Sequence, residues 1–155
     1  MRGTMVRKAK VSDVKAIHKL LSTFSERGEI LPRSLSEIYD NLRDYYIYCH
    51  GNQGLIVGTC AIHVSWEDLA EIRSLAVEEA FKNRGVGKAL VESCLAEAKD
   101  LGIRRVFVLT YKTHFFEKRG FQLIDKANLP HKIWADCLKC IKFPDCDEAA
   151  MIREI

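Results

Sequence analysis

The chain of 155 residues is 48% hydrophobic and 29% charged and has only nine glycines and three prolines, which excludes a disordered or collagen-like protein. Its 24 basic and 21 acidic residues are interleaved and give a net charge of +3, so no basic arm indicates a nucleic-acid partner. No apolar run approaches the ~20 residues that cross a bilayer, and no apolar signal segment follows the N-terminus. The sequence therefore predicts a single cytoplasmic domain over residues 1–155 that avoids membranes and binds a small anionic ligand.

The first part of the chain predicts a strand and two helices. A short strand is expected at Met5–Ala9, and an N-cap at Ser12-Asp13 then opens an amphipathic helix. The apolar residues at helical spacing are Val14, Ile17, Leu20, Leu21 and Phe24. After the loop Glu29–Arg33, the capping box Ser34-Leu35-Ser36-Glu37 opens a second helix that runs through Leu42. Because the loop joins two helices, we expect it to form one wall of a substrate site.

Three strand-like runs follow, at Tyr45–His50, Leu55–Val64 and Leu69–Val77, and the loop Gly51–Gly54 makes the first two a hairpin. Alternation along the third run predicts two faces. One face is expected to carry Glu71, Arg73, Leu75 and Val77, and the other Ile72, Ser74 and Ala76. Charges on one face of a central strand indicate a cleft.

The second half predicts a helix that begins at Gly85-Val86-Gly87 and stops at Gly102, followed by a buried strand at Val106–Leu109. A short helix at Thr113–Arg119 and two strands, Phe121–Ile124 and Ala149–Ile152, complete the pattern. Strands in hairpin order followed by a strand-helix-strand unit predict an α/β fold, with a mixed sheet and helices on both of its faces.

The segment Lys82–Lys88 (KNRGVGK) has the chemistry of a phosphate cradle. Glycines at a helix start expose backbone amides at the positive end of the helix dipole, and three basic side chains add charge. The plain alternative is a solvated turn. The segment lacks the G-x-x-x-x-G-K-[ST] pattern, and Leu90 replaces the third glycine of G-x-G-x-x-G, so neither a nucleotide hydrolase nor a dinucleotide enzyme is indicated.

Together, Leu75-Ala76-Val77, KNRGVGK and Phe115–Phe121 (FFEKRGF) resemble the pattern of the GCN5-related N-acetyltransferases through nearly the whole chain. Lys82 stands at the first position of their [Q/R]-x-x-G-x-[G/A] loop. The resemblance implies acetyl-CoA as co-substrate and a largely antiparallel central sheet, with the strand before the loop paired to the pantetheine arm. The cofactor-binding residues it implies are Leu75, Ala76, Val77, Lys82, Asn83, Arg84, Gly85, Val86, Gly87, Lys88 and Phe116.

Four segments more closely resemble the acetyltransferase domain of N-acetylglutamate synthases, here without their kinase-like half. They are Ile30–Ser34, Ala70–Val77, Val106–Thr110 and Phe116–Phe121. The resemblance implies that the arginine after the I-L-x motif, Arg33, pairs with a glutamate carboxylate and that Glu71 lies near the reacting amine. The implied substrate-binding residues are Leu31, Arg33, Glu71 and Arg73.

Acetyl transfer to an amine needs a proton acceptor, because only the unprotonated amine attacks a thioester, and Glu71 is our candidate base. Relatives use a tyrosine as general acid where this chain has Phe116, so Ser74 and Tyr111 are the hydroxyl candidates, and direct loss of the thiolate is a further route. A solvated Arg33 and an exposed Glu71–Arg73 ion pair are the plain alternatives.

Six cysteines divide into two groups. Cys49, Cys60 and Cys94 lie in apolar segments and are expected to be core residues. The cluster Cys137-x2-Cys140-x5-Cys146, with His131, Asp136, Asp145 and Asp147 nearby, is only part of a zinc pattern. We therefore predict reduced thiols and no metal.

The sequence predicts an N-acetyltransferase that acetylates the α-amino group of L-glutamate by direct transfer in a ternary complex, as in arginine biosynthesis. Three alternatives stay open: transfer to another small amine or a protein N-terminus, a module that binds acetyl-CoA without turnover, and an interaction domain built on the cysteines. The apolar tail around Met151 and Ile155 hints at a homodimer.

Overall fold

The structure, a computed structural model, describes residues 5–129 and 148–155. Within these ranges the α-helices are Val14–Glu26 (α1), Leu35–Asp40 (α2), Val86–Asp100 (α3) and Thr113–Glu117 (α4). The β-strands are Met5–Lys8 (β1), Tyr45–His50 (β2), Leu55–Trp66 (β3), Leu69–Val77 (β4), Arg105–Thr110 (β5), Gln122–Ile124 (β6) and Ala149–Glu154 (β7).

The strands form one seven-stranded sheet in the order β1-β2-β3-β4-β5-β7-β6. Among the described strands, every neighbouring pair is antiparallel except β4 and β5, which are parallel and are connected through α3. The expected mixed, largely antiparallel sheet is therefore confirmed. No helix in the described part of the chain is long and apolar enough to cross a membrane.

Two hydrophobic cores lie on opposite faces of the sheet. The apolar side of α1 and Ile38 of α2 pack with Tyr45 and Ile47 of β2 on one face. The apolar side of α3 and Phe116 of α4 pack with Ile62 of β3 and Ile72 of β4 on the other. Helices on both faces are therefore confirmed, and Cys49, Cys60 and Cys94 are buried as expected.

Strands β4 and β5 are paired only at their beginnings. The register joins Leu69 to Arg105, Ala70 to Val106 and Glu71 to Phe107. Beyond Glu71, the described register gives β4 no partner in β5, while β5 continues to pair with β7 through Thr110. The two strands therefore diverge towards their C-terminal ends and open a gap in the middle of the sheet.

A β-bulge interrupts β4 at Ser74. The pairing with β3 passes from Arg73–Ala61 to Ala76–Thr59, and Ser74 has a φ of 58°, in the left-handed region. Glu71 and Arg73 share one face as predicted, with their charged groups 3.6 Å apart. The prediction that Leu75 and Val77 share the face of Glu71 and Arg73 is wrong. The extra residue of the bulge reverses the alternation, so Leu75 and Val77 pack with Ile72 against the α3 core. Ala76 packs in the α1 core on the opposite face.

Helix ends differ modestly from their predictions. Asp13 precedes α1, but its carboxylate accepts from the Lys10 amide and from Arg7 instead of capping the helix, so the predicted side-chain cap is wrong. The capping box of Ser34 and Glu37 is confirmed. Helix α2 ends at Asp40 instead of Leu42, because a short 3₁₀ turn, Leu42–Asp44, leads directly into β2.

We predict that Gly58→Ala lowers the free energy of unfolding by about 1–3 kcal/mol, the usual cost of overpacking a core. An added Cβ at Gly58 would lie 2.8 Å from Cγ1 of Val86, where α3 begins against β3. Val86→Ala removes that atom, so the double variant should lose less stability than the sum of the two single variants. Urea unfolding of all the variants measures this difference, and strictly additive losses would contradict the contact.

Candidate active site

A cavity of about 710 Å³ lies in the gap between the diverging strands. Its walls are the C-terminal halves of β4 and β5, the loop before α3, and α4. Glu29 and Ile30 close one side, which supports the expectation that the loop between α1 and α2 forms a wall. The predicted residues among those lining it are Arg73, Ser74, Leu75, Ala76, Val77, Lys82, Asn83, Gly85, Val86, Gly87, Lys88, Tyr111 and Phe116.

One end of the cavity is an anion cradle at the start of α3. Asn83 and Gly85 both have positive φ values, 65° and 82°, which turn the chain sharply into the helix. The first helical hydrogen bond runs from the Ala89 amide to the Gly85 carbonyl at 3.0 Å. The amides of Val86, Gly87 and Lys88 therefore precede the helical hydrogen-bond ladder, where they are suited to bind a phosphate group.

The basic side chains of this loop differ in position. Lys82 lines the cavity and pairs with Glu79 at 3.1 Å. The guanidinium of Arg84 stacks over the ring of Phe81, 5.2 Å from its centroid, and Arg84 is not among the described lining residues. The structure thus brings together all the predicted cofactor residues except Arg84.

Aromatic residues of α4 form the floor of the cradle. The ring of Phe115 lies against Gly87, where an added Cβ would approach it to 3.3 Å. Phe116 is 2% exposed and makes edge-to-face contacts with Phe115 and Phe121. Phe116 is therefore mainly a residue of the α3 core, although it also borders the cavity. Because residue 87 is a glycine, the ring of Phe115 can lie close to the start of α3.

A second group of polar residues lies on the α1 and α2 face of the sheet. The side chains of Arg73 and Glu71 are only 14% and 12% exposed. Arg33, just before α2, is 7% exposed and lies 3.5 Å from Glu37. The two plain alternatives, an exposed ion pair and a solvated arginine, are therefore wrong.

Tyr45 connects this group to the bulge. It lies opposite Ala61, which in turn lies opposite Arg73, so the three residues form one row across the sheet. Burial raises the pKa of Tyr45, while a side-chain hydrogen bond with Ser74 and the charges of Arg33 and Arg73 act in the opposite direction. The Tyr45 hydroxyl is therefore hydrogen bonded to Ser74 and lies within the electrostatic reach of both arginines.

The remaining candidates lie further from this row. Tyr111 lines the cavity at the end of β5 and is 39% exposed. Leu31, Arg33 and Glu71 are not among the described lining residues, so the cavity and the polar group are adjacent compartments that share Arg73 and Ser74.

Sequence analysis missed Tyr45 and Thr110. Thr110 lines the cavity, and its hydroxyl accepts from the Lys112 amide at 2.8 Å. Tyr45 begins a regular strand and Thr110 ends one, so neither position departs from an ordinary strand pattern. The sequence signal that could have identified Tyr45 and Thr110 as site residues is a hydroxyl group at the end of a strand.

No group of three or more metal-binding side chains occurs among the residues that the structure describes. The cluster of Cys137, Cys140 and Cys146 lies outside those residues, so the predicted absence of a metal there stays a prediction.

The gap between β4 and β5 leads to the anion cradle at the start of α3. This arrangement is typical of proteins that bind an elongated ligand with a phosphate group at one end. The sequence matches the model of the acetyltransferase (GNAT) family over residues 14–121. The chain belongs to this family and is an N-acetyltransferase that uses acetyl-CoA.

Similar proteins agree with this assignment. An amino-acid acetyltransferase of Mycobacterium tuberculosis is 42% identical over 123 residues, covering 78% of this chain and 70% of that protein. A solved Mycobacterium tuberculosis protein in complex with CoA has a TM-score of 0.83 at 32% identity, covering 97% of this chain and 99% of the other. N-acetylglutamate synthase from Neisseria gonorrhoeae, solved with coenzyme A and N-acetyl-glutamate, has a TM-score of 0.87 at 26% identity. That match covers 99% of this chain but 35% of the synthase.

The described residues fit acetyl-CoA. The diverging part of β4 would offer backbone groups to the amides of a pantetheine arm, and the α3 cradle with Lys82 and Lys88 would offer donors and charge to the pyrophosphate. When bound, acetyl-CoA supplies an activated acetyl thioester. The individual roles of Leu75, Ala76 and Val77 stay predictions.

We predict that Gly85→Ala weakens CoA binding by about tenfold, because a left-handed conformation costs a non-glycine residue about 1–2 kcal/mol and the cradle relaxes to avoid it. Gly51→Ala is the matched control: Gly51 has a φ of 81°, close to the 82° of Gly85, and an added Cβ meets nothing within 4 Å at either position. Both variants should lose similar stability, but only Gly85→Ala should change the Kd for CoA in calorimetry. Equal Kd values for the two variants would contradict the cradle.

Proposed function

We propose that this enzyme acetylates the α-amino group of L-glutamate, the amino-acid N-acetyltransferase reaction of arginine biosynthesis. The observation that carries the proposal is a pair of nearly buried arginines, Arg33 and Arg73. The positive charges of both act on the pKa of Tyr45, which is hydrogen bonded to Ser74 at the bulge. The names and bound product of the relatives described above support the same substrate class.

Two guanidinium groups suit an amino acid with two carboxylates. A planar guanidinium binds a carboxylate in bidentate fashion, and burial strengthens such a pair because less water competes. The contacts from Arg33 to Glu37 and from Arg73 to Glu71 are 3.5 and 3.6 Å long. A substrate carboxylate at about 2.8 Å would form a charge-assisted hydrogen bond with either guanidinium.

In this proposal Glu71 accepts a proton from the substrate ammonium. The free amine then attacks the thioester carbonyl in the gap between β4 and β5, and the departing sulfur takes up the second amine proton. Backbone amides near Leu75 would stabilise the negative charge that develops on the carbonyl oxygen.

We assign to Ser74 the hydroxyl that passes this second amine proton to the sulfur, giving up its own proton and receiving the one from the amine. Ser74 lines the cavity and is hydrogen bonded to Tyr45, whose pKa is raised by burial. Tyr111 is the second candidate at the same cavity.

We predict a strong preference for glutamate when thiol release is measured against the twenty amino acids, polyamines and a peptide. Arg33→Ala should raise the Kd for glutamate at least tenfold, because removing one partner of a buried charge pair costs about 2–5 kcal/mol. The Kd for acetyl-CoA should stay within twofold. Arg105→Ala is the matched control, because Arg105 pairs with Asp68 on the surface.

Preference for a polyamine or the peptide would overturn the glutamate assignment and favour another amine acceptor. Equal weakening of both ligands by Arg33→Ala would contradict the carboxylate role of Arg33.

We predict that Glu71→Gln lowers kcat by about 10²- to 10⁴-fold, the usual contribution of a general base. The amide keeps the shape of the side chain but cannot accept the proton, so the Kd for acetyl-CoA should not change. Because a more alkaline solution supplies free amine, the variant should recover part of its kcat as the pH rises. A kcat within threefold of wild type near neutral pH would remove Glu71 from the mechanism.

A further inference from the structure

The mechanism above leaves a histidine and an aspartate unused beside Glu71. Nδ1 of His63 lies 2.6 Å from Oδ2 of Asp44. His63 belongs to β3 and lies directly opposite Glu71 of β4 in the antiparallel register, while Asp44 ends the 3₁₀ turn that leads into β2. Three elements therefore bring an imidazole and two carboxylates together at one end of the polar group.

Residues directly opposite each other in an antiparallel pair share a face, with Cβ atoms about 4.5–5.5 Å apart. Of the three side chains, His63 is the most exposed and Glu71 the least. The side chain of Glu71 is 12% exposed, that of Asp44 is 24% exposed and that of His63 is 30% exposed. His63 thus lies between a nearly buried carboxylate and the solvent.

The short contact also fixes the tautomer of His63. An ionised carboxylate only accepts hydrogen bonds, so at 2.6 Å the Nδ1 atom of His63 must carry the hydrogen. In the neutral ring Nε2 is then an acceptor.

The reaction releases one proton for each acetyl group transferred. A substrate ammonium and acetyl-CoA give an amide, a free thiol and one proton: nitrogen loses two protons, of which sulfur takes one. The other proton, collected by Glu71, has to leave before the next ammonium binds. The carboxylate of Glu71 is largely enclosed beside Arg73, so solvent reaches it less easily than it reaches the more exposed His63.

We propose that His63, oriented by Asp44, accepts this proton from Glu71 at Nε2 and passes it to the solvent. The proposal rests on the function proposed above for Glu71. His63 is then a relay, and Asp44 is a positioning residue. The other charged or titratable groups on this face are Arg73 on β4, Tyr45 on β2, and Arg33 with Glu37 at α2.

The test compares His63→Ala, His63→Gln and Asp44→Asn with wild type, using whichever amine supports the fastest turnover. Each variant should lower kcat about tenfold, less than the loss predicted for Glu71→Gln, while the KM values for the amine and for acetyl-CoA stay within twofold. His18→Ala is the matched control, since His18 lies in α1 and is not among the described residues that line the cavity, so this variant should leave kcat unchanged.

Added imidazole separates a relay from a structural pair. The space left in His63→Ala is open to solvent, so imidazole should restore kcat in a concentration-dependent manner, but it should not rescue Glu71→Gln. A wild-type kcat in His63→Ala would overturn the relay while leaving the base role of Glu71 intact. A loss of kcat that imidazole does not rescue, accompanied by lower thermal stability, would likewise overturn the relay and make the pair structural. If the preferred amine is not glutamate, the assay uses a different substrate, but the expected ratios of variant to wild-type kcat stay the same.

Discussion

The separation of β4 from β5 beyond Glu71 is the constraint on which the site depends. Three paired residues hold the two strands together at their beginnings, and the described register then gives β4 no further partner in β5. Buried backbone groups need hydrogen-bond partners, so such a gap is stable only if water or a ligand occupies it. An extended ligand with amide groups meets that requirement, and the gap leads directly to the amides at the start of α3. The fold thus uses an incomplete parallel pair as a binding site.

The bulge at Ser74 gives this single strand two functions. Its φ of 58° is strained for serine, at a cost of about 1–3 kcal/mol that the surrounding packing must sustain. Before the bulge, Glu71 and Arg73 point to the α1 and α2 face. After it, Leu75 and Val77 point to the α3 face, where they line the cavity. Without the bulge, the charged residues and the cofactor-facing residues would lie on one face, and the two substrates would compete for it.

Local sequence patterns predict the fold more completely than they predict the site. The sequence predicts the strands Tyr45–His50 and Leu69–Val77 to the residue, because each is a strand-like run that ends at a turn or loop. The exchange of faces at Ser74 was not predictable, because serine has no special preference for positive φ and the strain is sustained by contacts distant in sequence. The position of Arg84 outside the cavity depends on its stacking with Phe81, which spacing does not encode. Glycine and charge patterns indicated the cradle, whereas the group formed by Tyr45, Arg33 and Arg73 needs three separate segments to meet.

The two compartments also differ in how they hold charge. Around the cradle, Lys82 and Glu79 form an exposed pair, so water screens their charges and a phosphate can replace the carboxylate at little cost. On the α1 and α2 face, Arg33, Arg73 and Glu71 are nearly buried, so in the proposed function an amino acid must match their positions closely. In the proposed function, affinity for the larger co-substrate comes from many backbone contacts along β4 and α3, whereas discrimination among amines depends on a few buried charges. One strand would serve both purposes, because its edge is open to the thioester while its face presents charges to the amine.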